Sequence, residues 1–229
     1  MASQYDLGMR YAKGKGVPQD PSRAVQWFRK AAEQGYPKAQ AALGTAYANG
    51  DGVTQDYARA MQWFTQAAVQ GDARGQASLG IAYMTGRGIG QDEVQAVEWF
   101  RKAAEQGDAG AQYDLGICYA TGRGVAADMG AAVQWFYKSA LQGNAEAQYN
   151  LGVSYVTGQG VAQDYKIGSL WFRKAAEQGQ ADSQYNMGVL YEQGLGVEKN
   201  RALAAQWYRK AAAQGNEAAA KALASITGG

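Results

Sequence analysis

The chain has 229 residues and a formal charge of +2, with 31 glycines, six tryptophans, 15 tyrosines, one cysteine and no histidine. The missing histidines remove the usual general base, the commonest zinc ligand and every Ser-His-Asp or Cys-His nucleophile pair, and a lone cysteine excludes an intrachain disulfide framework and any multi-cysteine metal site. At 18% charged residues there is no large field to attract nucleic acid, and no apolar run approaches the roughly 20 residues of a membrane-spanning helix.

The glycines are not low-complexity chain, because 47% of the residues are hydrophobic and the glycines keep a fixed spacing. Residues 1–6 have neither a basic start nor an apolar stretch, so no signal peptide is expected. Leu7-Gly8, Leu43-Gly44, Leu79-Gly80, Leu115-Gly116, Leu151-Gly152 and Met187-Gly188 step by 36 residues without insertion or deletion. Trp27, Trp63, Trp99, Trp135, Trp171 and Trp207 share one register, followed directly by Phe28, Phe64, Phe100, Phe136, Phe172 and Tyr208. Such a period marks a stacked array of supersecondary units. The expected repeats are about 1–36, 37–72, 73–108, 109–144, 145–180 and 181–216, with a closing helix at about 217–226, all in one domain over 1–229. With Leu7 as position 7, glycine fills positions 8, 14, 16 and 35 of all six repeats and accounts for 24 of the 31.

Within a repeat the pattern predicts two helices. In the first repeat Asp20 precedes Pro21, an N-cap followed by a residue favoured at the first helical position. Asp56, Asp92, Asp128 and Asp164 recur at the same place, so these carboxylates are read as caps and not as a metal or catalytic array. In the fifth repeat Ala147, Leu151 and Tyr155 recur every four residues, which predicts a helix over 145–157 ended by a left-handed Gly158. Val161 is expected to plug the gap beneath the turn. The second helix then carries an apolar stripe at Trp171, Phe172, Ala175 and Ala176 and ends before Gly179. Asp72, Asp108, Asn144 and Asn216 are placed to cap the following first-type helices. A 36-residue unit cannot bury its own apolar face, so neighbours must stack. Ala31-Ala32 and Ala67-Ala68 permit close approach, and the aligned tryptophans are read as core. After position 216, Leu223 keeps position 7 while Ala224 and Thr227 replace the usual Gly and Tyr; Glu217 and Lys221 supply the polar surface of a cap.

The stretch from Ala147-Gln148-Tyr149-Asn150-Leu151-Gly152 through Gly158-Gln159-Gly160-Val161-Ala162-Gln163-Asp164, with Trp171-Phe172-Arg173-Lys174-Ala175-Ala176-Glu177-Gln178-Gly179, closely resembles the Sel1-like repeat, a relative of the tetratricopeptide repeats. The resemblance covers the whole chain. It implies an all-α, right-handed solenoid with a concave groove, and an adaptor that binds proteins or peptides in bacterial envelopes, virulence, signalling or eukaryotic quality control. Cysteine-rich members, linked to cell-wall or β-lactam ligands, staple each helix pair with a disulfide. This chain has only Cys118, which departs from that subgroup. The chain starts inside a first helix and ends Thr227-Gly228-Gly229, as an excised repeat region or an engineered array would.

Function is then expected at positions that stacking does not dictate. On the first-type helices positions 3, 7, 8 and 11 are nearly constant, while 2, 5, 6, 9, 12 and 13 vary and fall on the opposite face. Repeats two and three present small residues there: Ala41, Ala42, Thr45, Ala48 and Asn49, then Ala77, Ser78, Ile81, Met84 and Thr85. Repeats four to six present Tyr113, Asp114, Ile117 and Thr121; Tyr149, Asn150, Val153 and Thr157; Tyr185, Asn186, Val189 and Gln193. The Tyr-Asx pairs would form a ladder for an extended peptide, with apolar side chains over Ile117, Val153 and Val189. The other reading stands beside it: each tyrosine packs on a neighbouring helix and Asn150 bonds locally.

Arg29-Lys30, Arg101-Lys102, Arg173-Lys174 and Arg209-Lys210 are read as a solvated face, with Glu33, Glu105 and Glu177 three residues beyond lysines as local partners. Cys118 is read as packing. The expected protein is a monomeric, non-enzymatic module for a protein or peptide partner, with no cofactor, metal, nucleic acid or membrane insertion. The alternatives are an array without a specific ligand or, more remotely, a cell-wall or carbohydrate-binding module.

Overall fold

The computed structural model describes residues 1–227; Gly228 and Gly229 lie outside the described residues. Each repeat contributes two helices and no strand occurs among the described residues. The first-type helices are α1 (Ala2–Lys13), α3 (Pro37–Asn49), α5 (Ala73–Thr85), α7 (Ala109–Thr121), α9 (Ala145–Thr157) and α11 (Ala181–Gln193). The second-type helices are α2 (Pro21–Ala32), α4 (Tyr57–Val69), α6 (Glu93–Glu105), α8 (Met129–Leu141), α10 (Tyr165–Glu177) and α12 (Arg201–Ala212), and α13 (Glu217–Thr227) follows. The architecture is an all-α repeat fold.

The helix starts form where side chains can take the orphaned N–H groups. Asp20, Asp56, Asp92, Asp128 and Asp164 each accept the backbone N–H three residues on at 2.9–3.0 Å, as does Asn200 at 2.9 Å. Asp72, Asp108, Asn144 and Asn216 do the same for α5, α7, α9 and α13. At α11 the acceptor is Gln180, a residue type that gives no capping signal in a sequence. Two glycine positions show what the spacing is for. A Cβ at Gly44 would stand 2.6 Å from the Phe64 ring, so that position lets the two helices of a repeat touch. Gly88 has φ +77°, and a Cβ there would lie 2.7 Å from the Tyr57 carbonyl oxygen, because the turn rests on the first residues of α4.

A glutamine ladder, which the sequence reading passed over, ties the repeats together. Gln recurs at positions 4 and 34 of all six repeats, and that invariance was the available signal. Within a repeat the position-34 amide donates to the position-4 carbonyl oxygen: Gln70 to Gln40 and Gln106 to Gln76 at 2.7 Å, Gln178 to Gln148 and Gln214 to Gln184 at 2.8 Å. The position-4 amide in turn reaches the position-32 carbonyl of the preceding repeat, as Gln40 does to Ala32 at 3.2 Å and Gln148 to Ala140 at 3.1 Å. The position-4 amides of repeats two to six are buried and the position-34 amides exposed, so each buried amide finds its partners and the pair fixes register.

The helices fall into two compact units, Met1–Ala111 with Arg123–Val125 and Gln112–Gly122 with Ala126–Gly229. The N-terminal core is built on Phe28, Leu43, Tyr47, Phe64 and Leu79, with Val53 and Ile89 of the turns packed against it. In the C-terminal unit Phe136, Leu151 and Trp171 pack with Val161, Phe172 with Met187, and Tyr208 with Ala219 of α13. The core aromatic is the phenylalanine rather than the tryptophan. Phe28, Phe64, Phe100, Phe136, Phe172 and Tyr208 are buried, whereas Trp27, Trp63, Trp99, Trp135 and Trp207 are half-buried. A lysine three residues on covers the outer indole face, with Nζ 3.8–4.6 Å from the ring centre at Trp27, Trp99, Trp135, Trp171 and Trp207. Trp171 is buried because Tyr137 also meets it edge-on, with ring centres 5.9 Å apart. The expected Lys–Glu pairs do not form among the described residues; those ammonium groups sit over indoles instead.

Candidate functional site

In the C-terminal unit the constant positions of α9 and α11 fix which way the variable ones face. Tyr149 and Tyr185 stand at position 5, beside Leu151 and Met187, which are fully buried. Their rings lean on the second helix of the same repeat: Tyr113 on Phe136, Tyr149 on Phe172 and Tyr185 on Tyr208, with centres 5.7–6.0 Å apart. Half of each ring is therefore spent on packing, and the packing holds the other half still. Ile117, Val153 and Val189 are half-buried beside them.

The polar partners are close. Asn150 lies close enough to the Tyr113 hydroxyl to act on it, and its Nδ2 donates to the Glu146 carbonyl at 3.0 Å. The local bond that the second reading of Asn150 expected is therefore present. Thr157 is exposed, and its hydroxyl donates to the Val153 carbonyl at 2.8 Å. Asp114 and Asn186 are half-buried. Burial, with the Glu146 and Asp114 charges behind it, lifts the Tyr113 hydroxyl above the ordinary tyrosine range. Tyr149 is raised by burial and then by Asp182 and Glu146. Tyr208, buried and donating to Glu192 Oε2 at 2.6 Å, is raised furthest. These phenols stay neutral donors at any physiological pH, on a face rimmed by carboxylates.

The same positions in repeats two and three are built differently, whereas in repeat one Tyr5 leans on Phe28 with ring centres 5.8 Å apart, as the later tyrosines do on their partners. Ala41 and Ala42 are buried, against the expectation that positions 5 and 6 lie outside the core, because alanine lets the neighbouring helices close over it. Between α3, α4 and α5 a cavity of about 500 Å³ opens, with Met61, Phe64 and Ala82 in its floor and Thr45, Ser78, Ile81 and Arg87 among its walls. A second cavity of about 280 Å³ shares Thr45 and is bordered by Met9, Ala42 and Arg74. Sequence reading saw the small residues but not the void; only the backbone spacing determines whether neighbours fill the space.

Cys118 is buried, as its packing role required. Among the described residues no three His, Cys, Asp or Glu side chains are grouped to hold a metal, and no helix is long and apolar enough to cross a membrane.

A family model described as Sel1 repeat matches residues 2–36, 37–72, 73–108, 109–144, 145–180 and 181–216. The crystal structure of a protective antigen present in uropathogenic Escherichia coli strains, with an SLR fold, is 39% identical and covers 98% of this chain and 48% of its own, with a TM-score of 0.89. A Sel1 repeat protein from Oxalobacter formigenes is 38% identical over 98% of this chain and 65% of its own, with a TM-score of 0.86. The present chain thus spans about half of the first relative and under two thirds of the second. A Klebsiella pneumoniae protein at 23% identity and a TM-score of 0.57 shares the fold alone. A search of curated proteins finds no match.

Proposed function

The chain belongs to the Sel1 repeat family, whose members mediate protein–protein interactions, and on that footing we propose that it is a non-enzymatic scaffold gripping an extended peptide segment on the C-terminal unit. The residues that make the grip are Tyr113, Asp114, Ile117, Tyr149, Asn150, Val153, Thr157, Tyr185, Asn186 and Val189. The observation that carries the reading is the threefold tyrosine lean at 5.7–6.0 Å, which gives a pre-ordered aromatic surface at little entropic cost. Asx side chains at position 6 add hydrogen bonding in every one of these repeats.

The test begins with a partner captured from the source cell's lysate and its affinity for the purified chain. Asn150→Ala combined with Asn186→Ala is expected to weaken binding at least about tenfold, roughly 1.4 kcal/mol, with an unchanged melting temperature. Undiminished affinity in that variant would rule the ladder out.

A further inference from the structure

The 500 Å³ cavity of the N-terminal unit has no role in the ladder, and its size falls within the usual range for ligand pockets. Its floor is apolar: Met61 and Phe64 are 7% and 6% exposed, and Ala82 is buried between them and the opening. Two of its hydroxyls are bonded within their own helices. Thr45 donates to the Ala41 carbonyl at 3.0 Å and Thr85 to the Ile81 carbonyl at 2.8 Å. Ile81 stands 47% exposed at the mouth. An apolar side chain is the occupant such a lining favours.

Charge at the lip narrows the choice. Arg87 occupies position 15 of its repeat, on the turn after α5. One repeat later Arg123 holds that position, with its guanidinium 2.7 Å from the Glu93 carboxylate at the start of α6. The residue equivalent to Glu93 one repeat earlier is Tyr57, whose hydroxyl already accepts from Gln55 at 3.0 Å. Arg87 is therefore left without a carboxylate among the described residues, at the edge of an apolar cavity. Position 2 points the same way: it is Lys38 and Arg74 in this unit, and Glu146 and Asp182 in the C-terminal one. The neighbouring cavity shares Thr45 and is bordered by Arg74, so the lining continues past the pocket, as a through-running chain requires.

We propose that this cavity takes a large aliphatic side chain of an internal peptide segment, and that an adjacent Asp or Glu side chain of the segment pairs with Arg87. The site rests on the reading of the chain as a peptide binder but not on the tyrosine ladder. Terminally blocked ten-residue Gly/Ser peptides carrying a central Leu-Glu, Leu-Lys or Ala-Glu pair are the probes, titrated into ¹⁵N-labelled protein. Leu-Glu should saturate and shift the amides of Thr45, Ser78, Ile81 and Arg87, about fivefold more tightly than Leu-Lys or Ala-Glu at low salt. Arg87→Gln should abolish the preference for Glu over Lys, and Thr45→Ile should fill the cavity and remove binding. Asn150→Ala with Asn186→Ala should leave all of this unchanged. No saturable shift with Leu-Glu, or equal affinity for Leu-Lys, overturns the site. Shifts confined to Tyr149, Asn150 and Asn186 would overturn it while leaving the ladder standing.

Discussion

The N-terminal and C-terminal units are built on one frame and finished with opposite surfaces. Both use Asp caps, buried phenylalanines, glycine contacts and the glutamine ladder. At position 5 the first has Tyr5, Ala41 and Ala77 where the second has Tyr113, Tyr149 and Tyr185; at position 9 it has Met9, Thr45 and Ile81 where the second has Ile117, Val153 and Val189, so the contrast lies in repeats two and three. Small side chains leave a hollow with a cationic lip, while large ones fill the space and present a ring with carboxylates around it. The frame is thus kept while the variable positions of the first-type helices change, even though some of those positions, such as Ala41 and Tyr149, also take part in packing.

Several variants would break or sharpen that contrast. The largest effect is expected at the core ring. Phe172→Ala should cost about 3–5 kcal/mol in urea unfolding, and Phe64→Ala the lower end of that range, since Phe64 already borders a void. Equal losses would mean that the hollow does not loosen the N-terminal core. The caps should behave alike: Asp56→Ala and Asp164→Ala are each expected to destabilise by about 0.5–2 kcal/mol, and a consistent difference between them would show that the shared frame is not energetically uniform.

The tyrosines give a pH signature particular to the C-terminal unit. A phenol whose folded pKa is raised contributes stability that is complete below the unfolded value of about 10 and lost as pH climbs through the folded value. Stability should therefore fall above about pH 10, and less steeply in Tyr113→Phe with Tyr149→Phe, as followed by urea midpoints. Phenolate absorbance of the native protein should likewise develop late for these two rings. The smallest difference concerns the turn arginines. Arg123→Gln breaks a partly exposed ion pair and should cost about 0.2–1 kcal/mol at low salt, whereas Arg87→Gln should leave stability unchanged. A loss at Arg87 equal to that at Arg123 would reveal a carboxylate partner and weaken the case for the cavity's lip.

Much of this was legible in the chain. Asp20 before Pro21, Gly158 after Thr157 and the 36-residue step fix caps, ends and pairing of helices, because each depends on backbone chemistry within a few residues. Trp27 and its equivalents were harder to place: a large aromatic on an apolar stripe looks buried, yet lysine three residues on covers a face that stays at the surface. The role of Gln40 and Gln70 was hidden for a different reason, since a bond between residues 30 apart leaves no local signal beyond recurrence.

The absence of histidine removed imidazole chemistry, and the 36-residue step of Leu-Gly and Trp determined by itself that this protein is a helical repeat array. It also located the variable face on the first-type helices. Whether that face holds a hollow or a wall was decided only in three dimensions. Thr45 and Ile117 are both compatible with a helix surface, and the outcome turns on how closely the helices around each side chain approach. That distance is set by the frame as a whole, through Gly44 against Phe64 and Gln40 against Ala32, and by no single stretch of sequence.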